Sequence, residues 1–297
     1  MLDIFKNEDD FYSFIESDKD KIEDIINNTN HYYKSYIKEI NGKKRRFHTA
    51  NKDLKKIQLL ILRKILEQVP LPTSMVGGLR GGSPKKNAEI HKNKDLIIVL
   101  DIKNFFPSIT TGRVFKLFNS LDFSDKICDL LTRLTTRWGS LPQGVCTSTY
   151  IALLILRPME KRFKNLCTGQ NLTYSFYVDD ITFSGNKKVK NFINLLSKII
   201  EDEGFKINKG KKKVMPWNTR QEVNKLTINS GVPNVPKEKV KIIRAEIYNF
   251  SKYNYSLIDR KKSLLKLLGK INYIKSVNKS MGEKLLKDYN EKILNSN

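Results

Sequence analysis

Two adjacent carboxylates, Asp179 and Asp180, are the side chains of this sequence best placed to do chemistry. They lie between two runs rich in β-branched and aromatic residues, 172–177 and 181–184, and this pattern predicts a β-hairpin. Like charges in a half-buried turn repel each other and favour protonation of one carboxyl. A divalent cation removes that repulsion. The pair therefore predicts a metal site at the edge of a sheet, with a solvated loop as the ordinary alternative.

A third carboxylate, Asp101, ends the wholly apolar run 96–100, which has the length of a central strand buried on both faces. Mg²⁺ prefers oxygen ligands and usually takes one or two carboxylates together with substrate phosphate. Two such ions, about 4 Å apart, activate a hydroxyl and stabilise a leaving oxygen. We therefore predict Asp101, Asp179 and Asp180 as catalytic, metal-binding residues for two Mg²⁺ ions, with Mn²⁺ as a substitute. A helix cap is the competing interpretation of Asp101.

The segment Leu141-Pro142-Gln143-Gly144 interrupts the chain before the apolar, helix-like run 150–156. Gly144 permits close backbone approach, and the Gln143 amide can bond a base or sugar edge. A Pro-Gly turn before a helix is common in any fold. The order of the blocks is much rarer: a strand ending in Asp101 with Phe106 five residues later, then this segment, then the Asp pair.

That order resembles the palm of the reverse transcriptases, and the resemblance extends from about residue 40 to the C-terminus. It implies that Asp101 and Asp179 bind metal with Asp180 beside them, and that Gln143 and Gly144 contact the nucleotide. Phe106 matches the position of a ring that blocks the sugar 2′-hydroxyl and so favours deoxynucleotides. An ordinary core position beside Phe105 is the alternative for Phe106.

The same resemblance assigns three basic residues to the nucleotide. Lys211 matches the lysine of an Asn-x-x-Lys pattern and could meet the pyrophosphate as a point charge. Arg45 and Arg80 are candidates to hold the triphosphate, because guanidinium groups suit phosphate oxygens. A solvated basic loop, or a general nucleic-acid surface, remains the alternative for each.

Two further segments are similar to retron enzymes within this family. Residues 87–91 match an Asn-Ala-x-x-His element, and residues 220–226 resemble an Arg-Gln-x-Val-Thr-Gly-Leu element associated with recognition of the enzyme's own RNA. Asn224 and Lys225 replace the Thr and Gly of that element, so the RNA contact is expected to differ from that of typical members. The residues expected to bind RNA are Asn87, His91, Arg220, Gln221, Asn224 and Lys225.

Composition indicates a polyanionic partner. The 297 residues include 55 Lys and Arg against 31 Asp and Glu, a formal net charge of +24. No signal peptide and no apolar run of membrane-spanning length is visible, and the three cysteines lack metal-binding spacing. We therefore expect a cytoplasmic bacterial protein with no membrane partner.

The predicted fold is α+β with the right-hand architecture of polymerases. The expected division is fingers at 1–94 and 110–142, palm at 95–109 and 143–230, and a helical thumb at 231–297. Apolar periodicity predicts helices over 54–69, 192–200 and 262–276. Lysines of the thumb are expected to contact phosphates along a duplex. The tyrosines interleaved with them, expected in the core more often than as stacking platforms, are Tyr248, Tyr253, Tyr255 and Tyr273.

The resemblance implies an RNA-directed DNA polymerase of a retron. Such an enzyme copies part of a structured noncoding RNA, its template and primer, into RNA-linked, multicopy single-stranded DNA from dNTPs. It further implies an antiphage defence system with a separate effector protein, and RNA trimming by host ribonuclease H. Two alternatives remain: another bacterial defence or group II intron-like reverse transcriptase, and a non-catalytic RNA-binding scaffold.

Overall fold

The computed structural model describes residues 8–15, 18–40, 42–252 and 257–294. Tyr253 and Tyr255 lie outside these residues. The helices, in chain order, are α1 (Glu8–Phe14), α2 (Lys19–Asn27), α3 (Lys52–Lys64), α4 (Pro84–Ile90), α5 (Phe105–Ser108), α6 (Thr111–Asn119), α7 (Asp125–Thr135), α8 (Ser148–Ile155), α9 (Arg157–Gly169), α10 (Ile193–Asp202), α11 (Lys237–Lys252), α12 (Leu257–Val277) and α13 (Lys279–Tyr289). The strands are β1 (Tyr33–Ile40), β2 (Lys43–Ala50), β3 (Leu96–Asp101), β4 (Thr173–Tyr177), β5 (Asp180–Gly185), β6 (Lys213–Pro216), β7 (Glu222–Val223) and β8 (Leu226–Thr227).

An antiparallel sheet in the order β4-β5-β3-β6 forms the palm. The apolar strand β3 pairs on both edges, which confirms the central strand predicted from its sequence. The two hairpin strands predicted around the Asp pair are β4 and β5. Aromatic and β-branched side chains suit this pleated, buried environment.

The two faces of the palm sheet pack against different cores, because side chains alternate along a strand. Leu96, Ile98 and Leu100 join a large core shared with the fingers helices. Ile97 joins a second core beneath the thumb, against which Val99 also packs. Asp101 continues this second series, so its side chain emerges where the packing on that face ends.

The fingers combine helices with a two-stranded ribbon formed by β1 and β2. Helices α1, α2 and α3 all contact α7, and the segment that contains α1 and α2 buries Phe11, Ile15 and Ile22. The helix predicted over 54–69 ends earlier, at Lys64, and a short 3₁₀ turn follows at Leu66–Gln68. Pro70 keeps the residue before it extended, so the chain must leave the helix before reaching Val69.

The thumb consists of α11, α12 and α13, followed by a π-helical turn at Asn290–Leu294. Its core includes Ile243 and Ile247 of α11 and Ile271 of α12. The expectation that the tyrosines lie in the core is wrong for Tyr248 and Tyr273, which are 53% and 40% exposed. The branched aliphatic side chains fill the helix interface and leave both rings outside. Among the described residues, no helix has the length and apolar character needed to cross a membrane.

Candidate active site

The structure brings the three acids together. Asp101 at the end of β3 is the direct antiparallel partner of Asp180 at the start of β5. The backbone N–H of Ile102 donates to the carbonyl of Asp179 at 3.0 Å, which ties the turn to the same point. Carboxylates far apart in the sequence therefore meet at one edge of the palm sheet.

The turn that carries Asp179 is held under strain. Val178 adopts φ +60°, a conformation that β-branched residues rarely take. Residues 75–77 brace it from outside: the N–H groups of Val76 and Gly77 both donate to the carbonyl of Phe176, at 2.8 and 3.2 Å. A Cβ atom on Gly77 would lie 2.6 Å from the Tyr177 and Val178 backbone, so only glycine fits this contact.

The site concentrates negative charge that is only partly compensated. Burial, with Asp101 as a lesser cause, raises the pKa of Asp179. Burial and both neighbouring acids raise the pKa of Asp180 to about 7. Lys211 donates from Nζ to the Asp101 carboxylate, so an ammonium group lies against the acids.

These oxygen donors suit a divalent cation by their chemistry, since positive charge would relieve the repulsion that raises the two pKa values. Within the described part of the chain, however, no three His, Cys, Asp or Glu side chains are already arranged to hold a metal ion. Lys211 instead bonds one of the acids, so ion binding would require this contact to change.

Two cavities flank the acids. The first, the fingers cavity, measures about 640 Å³ and extends from Asp101 and Asp179 to the wall formed by β2 and residues 137–143. The second, the palm cavity, measures about 530 Å³ and extends from the same acids towards β7. Arg45 and Lys211 line both cavities.

The nucleotide residues predicted from the sequence separate into two groups. Phe106 and Gln143 line the fingers cavity, and Arg45 and Lys211 line both cavities, so these four surround the acids. Arg80 is exposed and lines neither cavity.

The backbone of Gly144 lies against strand β2 of the same protein. It has φ +101°, and a Cβ atom there would lie 2.9 Å from the carbonyl oxygen of His48. The His48 N–H donates to the Gln143 carbonyl at 2.8 Å. The close approach permitted by Gly144 therefore joins this loop to β2, and the contact of the exposed Gly144 with a nucleotide stays a prediction.

His91 lies in the core of the palm and not on an RNA-facing surface. Its Nδ1 is 2.7 Å from Ser184 Oγ and its Nε2 is 2.7 Å from Ser175 Oγ, with the side chain fully buried. Burial lowers its pKa to about 3, so the ring is neutral. Both ring nitrogens are used inside the fold, so this conformation leaves neither free for RNA, and the predicted RNA contact of His91 stays a prediction.

Three other predicted RNA ligands are also engaged internally. The buried Asn87 amide donates to Asn224 Oδ1 at 2.5 Å. The buried Gln221 amide donates to the carbonyl groups of Lys94 and Met215. Arg220 forms ion pairs with Glu222 and Glu238. Protein carbonyl groups accept both hydrogen bonds of the Gln221 amide, whereas Asn87 Oδ1 is buried without a hydrogen-bond partner.

Asn224 and Lys225 form the turn between β7 and β8 and line the palm cavity. Their φ values are +48° and +63°, the pattern of a type I′ turn. Asn tolerates this conformation, whereas Lys does not favour it. Lys225 thus adds a cation to the lining of the palm cavity at a position where glycine would be the relaxed choice.

Sequence reasoning missed Gly77, Arg137 and Trp138. The signal for Gly77 was its place in the glycine-rich run 77–82, which gave no indication of its partner. The signal for the other two was Arg137-Trp138-Gly139-Ser140 directly before Leu141, an aromatic-glycine pair in a turn position. Both Arg137 and Trp138 line the fingers cavity.

Comparison with known proteins agrees with this geometry. The family model described as reverse transcriptase (RNA-dependent DNA polymerase) matches residues 34–242. The retron Ec86 reverse transcriptase of Escherichia coli is 32% identical over 222 residues, covering 73% of this chain and 69% of that relative. The retron Se72 reverse transcriptase of Salmonella heidelberg is 31% identical over 242 residues, covering 78% of this chain and 64% of that relative.

Among solved structures, telomerase from Candida albicans in complex with a fragment of telomeric RNA has a similar fold. The TM-score is 0.51 at 12% identity, covering 89% of this chain and 63% of that one. At this identity the likeness concerns the fold alone. It supports the predicted α+β polymerase architecture.

Proposed function

This chain belongs to the reverse transcriptase family, and on that premise we propose that it is a retron RNA-directed DNA polymerase. It would copy part of a structured noncoding RNA into single-stranded DNA that stays linked to the RNA. The observation that carries the proposal is the meeting of Asp101, Asp179 and Asp180 between two cavities lined by basic residues.

The reaction needs a hydroxyl at the growing end, the α-phosphate of a dNTP and neutralisation of the charge that develops between them. Two Mg²⁺ ions, or Mn²⁺ as a substitute, held by Asp101, Asp179 and Asp180 would activate the hydroxyl and stabilise the leaving oxygen. Arg45 and Lys211 supply cationic donors at both cavities, where phosphate oxygens must lie.

Phe106 supports the choice of deoxynucleotides. It follows Asp101 on the short helix α5 and lines the fingers cavity, and its ring rests 5.4 Å from that of buried Phe105. In the proposed complex this ring would lie under the sugar and would exclude a 2′-hydroxyl.

The partners of the proposed reaction follow from charge and family. A net charge of +24 and the lysine-rich thumb support binding of a template-primer duplex. The cytoplasmic setting, the antiphage role, the separate effector and host ribonuclease H are parts of the same proposal and rest on the retron relatives alone.

The direct test measures incorporation of labelled dTTP on a poly(rA)–oligo(dT) template with Mg²⁺. We expect Asp101→Asn to reduce the rate on the order of 10³-fold, the scale of losing a main electrostatic stabiliser, with duplex binding retained. Asp129→Asn removes an exposed carboxylate paired only with Arg133 on α7, and this control should retain full activity.

The nucleic acid that copurifies with the wild-type protein separates the remaining alternatives. DNase-sensitive material covalently attached to RNA supports a retron product. Undiminished incorporation by Asp101→Asn would refute the assignment of the site. RNA alone, together with no incorporation by the wild type, would favour the RNA-binding scaffold.

A further inference from the structure

Trp138 occupies a conformation that its side chain does not favour. The turn has φ +51° at Trp138 and +75° at Gly139, and it is closed by mutual backbone hydrogen bonds between Arg137 and Ser140 at 2.8 and 3.1 Å. Turns of this kind strongly prefer Asn, Asp or Gly at the first position. The Trp138 side chain is 55% exposed, so burial in the core does not compensate for the unfavourable backbone. Such an outlier points to a functional demand on the ring.

The surroundings of Trp138 make it a positively charged aromatic platform. The Arg137 guanidinium lies 4.1 Å from the ring centroid, and that of Arg46 lies 5.5 Å away. Arg137 is buried and fixed by donating to Ser35 Oγ and His48 Nδ1, each at 2.8 Å. No carboxylate among the described residues forms an ion pair with Arg137. A flat π system with adjacent cations suits a nucleobase and its phosphate.

The position of the platform indicates which base it would receive. Trp138 lines the fingers cavity together with Asp101, Asp179 and Phe106. If the product duplex leaves through the palm cavity, the fingers cavity receives the two components that have not yet reacted, namely the incoming nucleotide and the unpaired template. The nucleotide must place its phosphates at the acids and its sugar at Phe106, so the fingers wall remains for the template.

We infer that Trp138 is a stacking platform for an unpaired nucleobase of the template strand, with Arg46 beside it to contact the template phosphate. This inference rests on the proposed polymerase function. Stacking of a base on an aromatic side chain tolerates any base identity, which suits a polymerase that must copy every sequence.

The test compares binding of two labelled primer-template duplexes, one blunt and one with a three-nucleotide 5′ template overhang, by fluorescence anisotropy. Trp138→Asn is the informative variant, because Asn suits the turn while the ring is lost. We expect it to weaken overhang binding about 10-fold, the scale of one base-aromatic stack, and to leave blunt-duplex binding unchanged. Trp138→Phe should recover part of the loss.

Trp217 provides the matched control. It is the second of the two tryptophans, it is 63% exposed at the end of β6, and it lines neither cavity. Trp217→Phe should bind both duplexes as the wild type does. The Trp217→Phe variant also leaves Trp138 as the sole tryptophan. The fluorescence of Trp138 should therefore be quenched by the overhang duplex and not by the blunt one.

A template overhang that lacks one base tests whether that base is the group that stacks on Trp138. Removing the base that stacks on Trp138 should weaken wild-type binding about as much as Trp138→Asn does, and the two changes should not add. Full additivity, equal weakening of the binding of both duplexes by Trp138→Asn, or a raised KM for dNTP without an overhang effect would each overturn the inference. Wild-type polymerisation in the same buffer keeps the proposed function under separate test.

Discussion

Two antiparallel hairpins bring opposite charges to the same cleft, and they are built differently. The β4–β5 hairpin lies in the palm sheet, with Phe176, Ile181 and Phe183 fully buried. The β1–β2 hairpin is a separate ribbon whose first strand is exposed from residue 34 to 39. The buried hairpin carries Asp179 and Asp180, and the exposed ribbon carries Arg45.

The difference fits the roles proposed for the carboxylates and for the arginine. Carboxylates that share a cation must be fixed in direction and partly desolvated, and this burial is the main cause of the raised pKa of Asp179 and Asp180. An arginine that meets a phosphate remains charged in water and adapts its long side chain, so an exposed strand can present it. The packed core therefore fixes the positions of the carboxylates, and the exposed ribbon supplies the positive charge.

Of the two hairpins, the buried one is expected to show the larger effect when it is disturbed without changing a charge. Gly77→Ala places a methyl group where 2.6 Å separates it from the Tyr177 and Val178 backbone, so the hairpin must move. We expect incorporation to fall about 10²-fold, because displacement of reacting groups by about 1 Å costs that much. Steady-state incorporation kinetics would measure this loss of activity. Normal activity of Gly77→Ala would show that the contact between Gly77 and the hairpin is not needed.

Gly169→Ala is the control for that experiment. Gly169 ends α9, and an added Cβ atom meets nothing within 4 Å. This variant should keep wild-type activity, which would attribute the effect of Gly77→Ala to the hairpin contact and not to loss of a glycine.

A smaller effect is expected on the exposed ribbon. Arg45→Ala removes a cation that lines both cavities, and we expect KM for dNTP to rise about 10-fold, the scale of one charge-assisted hydrogen bond. Lys34→Ala, on the same ribbon but in neither cavity lining, should leave KM unchanged. Equal effects of both variants would mean that the ribbon acts only through general charge.

The buried side of the comparison also predicts a pH dependence. The pKa of His91 is lowered to about 3 by burial, below the ordinary value of about 6.5 for an unfolded chain. As pH falls below about 6.5 the unfolded state binds a proton that the folded state refuses, so stability is lost towards acid. The contribution is about 1.4 kcal/mol per pH unit.

Urea unfolding of the wild type and of His91→Gln at pH 7 and pH 5.5 would measure this contribution. The variant is less stable at pH 7 because it breaks the contacts to Ser175 and Ser184, yet its free energy of unfolding should fall less between the two pH values. Parallel decreases in both proteins would show that His91 titrates normally.

The smallest expected effect concerns Lys225. Lys225→Gly relaxes a left-handed residue, and we expect about 1 kcal/mol of added stability together with weaker RNA binding. Lys225→Ala keeps the strain and loses the charge, so it should weaken binding without the gain in stability. Unfolding and filter-binding measurements would separate the two effects, and unchanged RNA binding in both variants would exclude Lys225 from the RNA contact.

Sequence reasoning succeeded where local pattern and chemistry point the same way. A strand-length apolar run that ends in Asp101 favours a buried strand with a polar end, and the β-branched and aromatic residues on both sides of the Asp pair favour a hairpin. It did not predict that His91 and Gln221 are buried, because the sequence alone does not distinguish a polar side chain that faces RNA from one that bonds Ser184 or a backbone carbonyl. Their burial depends on elements far away in the chain.

The amino-acid sequence alone indicated the family and three of the four palm strands, β3, β4 and β5, and it singled out Asp101, Asp179 and Asp180, because side-chain periodicity and residue order are local properties. The tertiary structure decided which charged groups share a cavity, that Gly77 braces the acidic hairpin, and that Trp138 stands exposed beside two guanidinium groups. Those relations are distances between segments that the chain order leaves undefined, and only packing of the whole fold sets them.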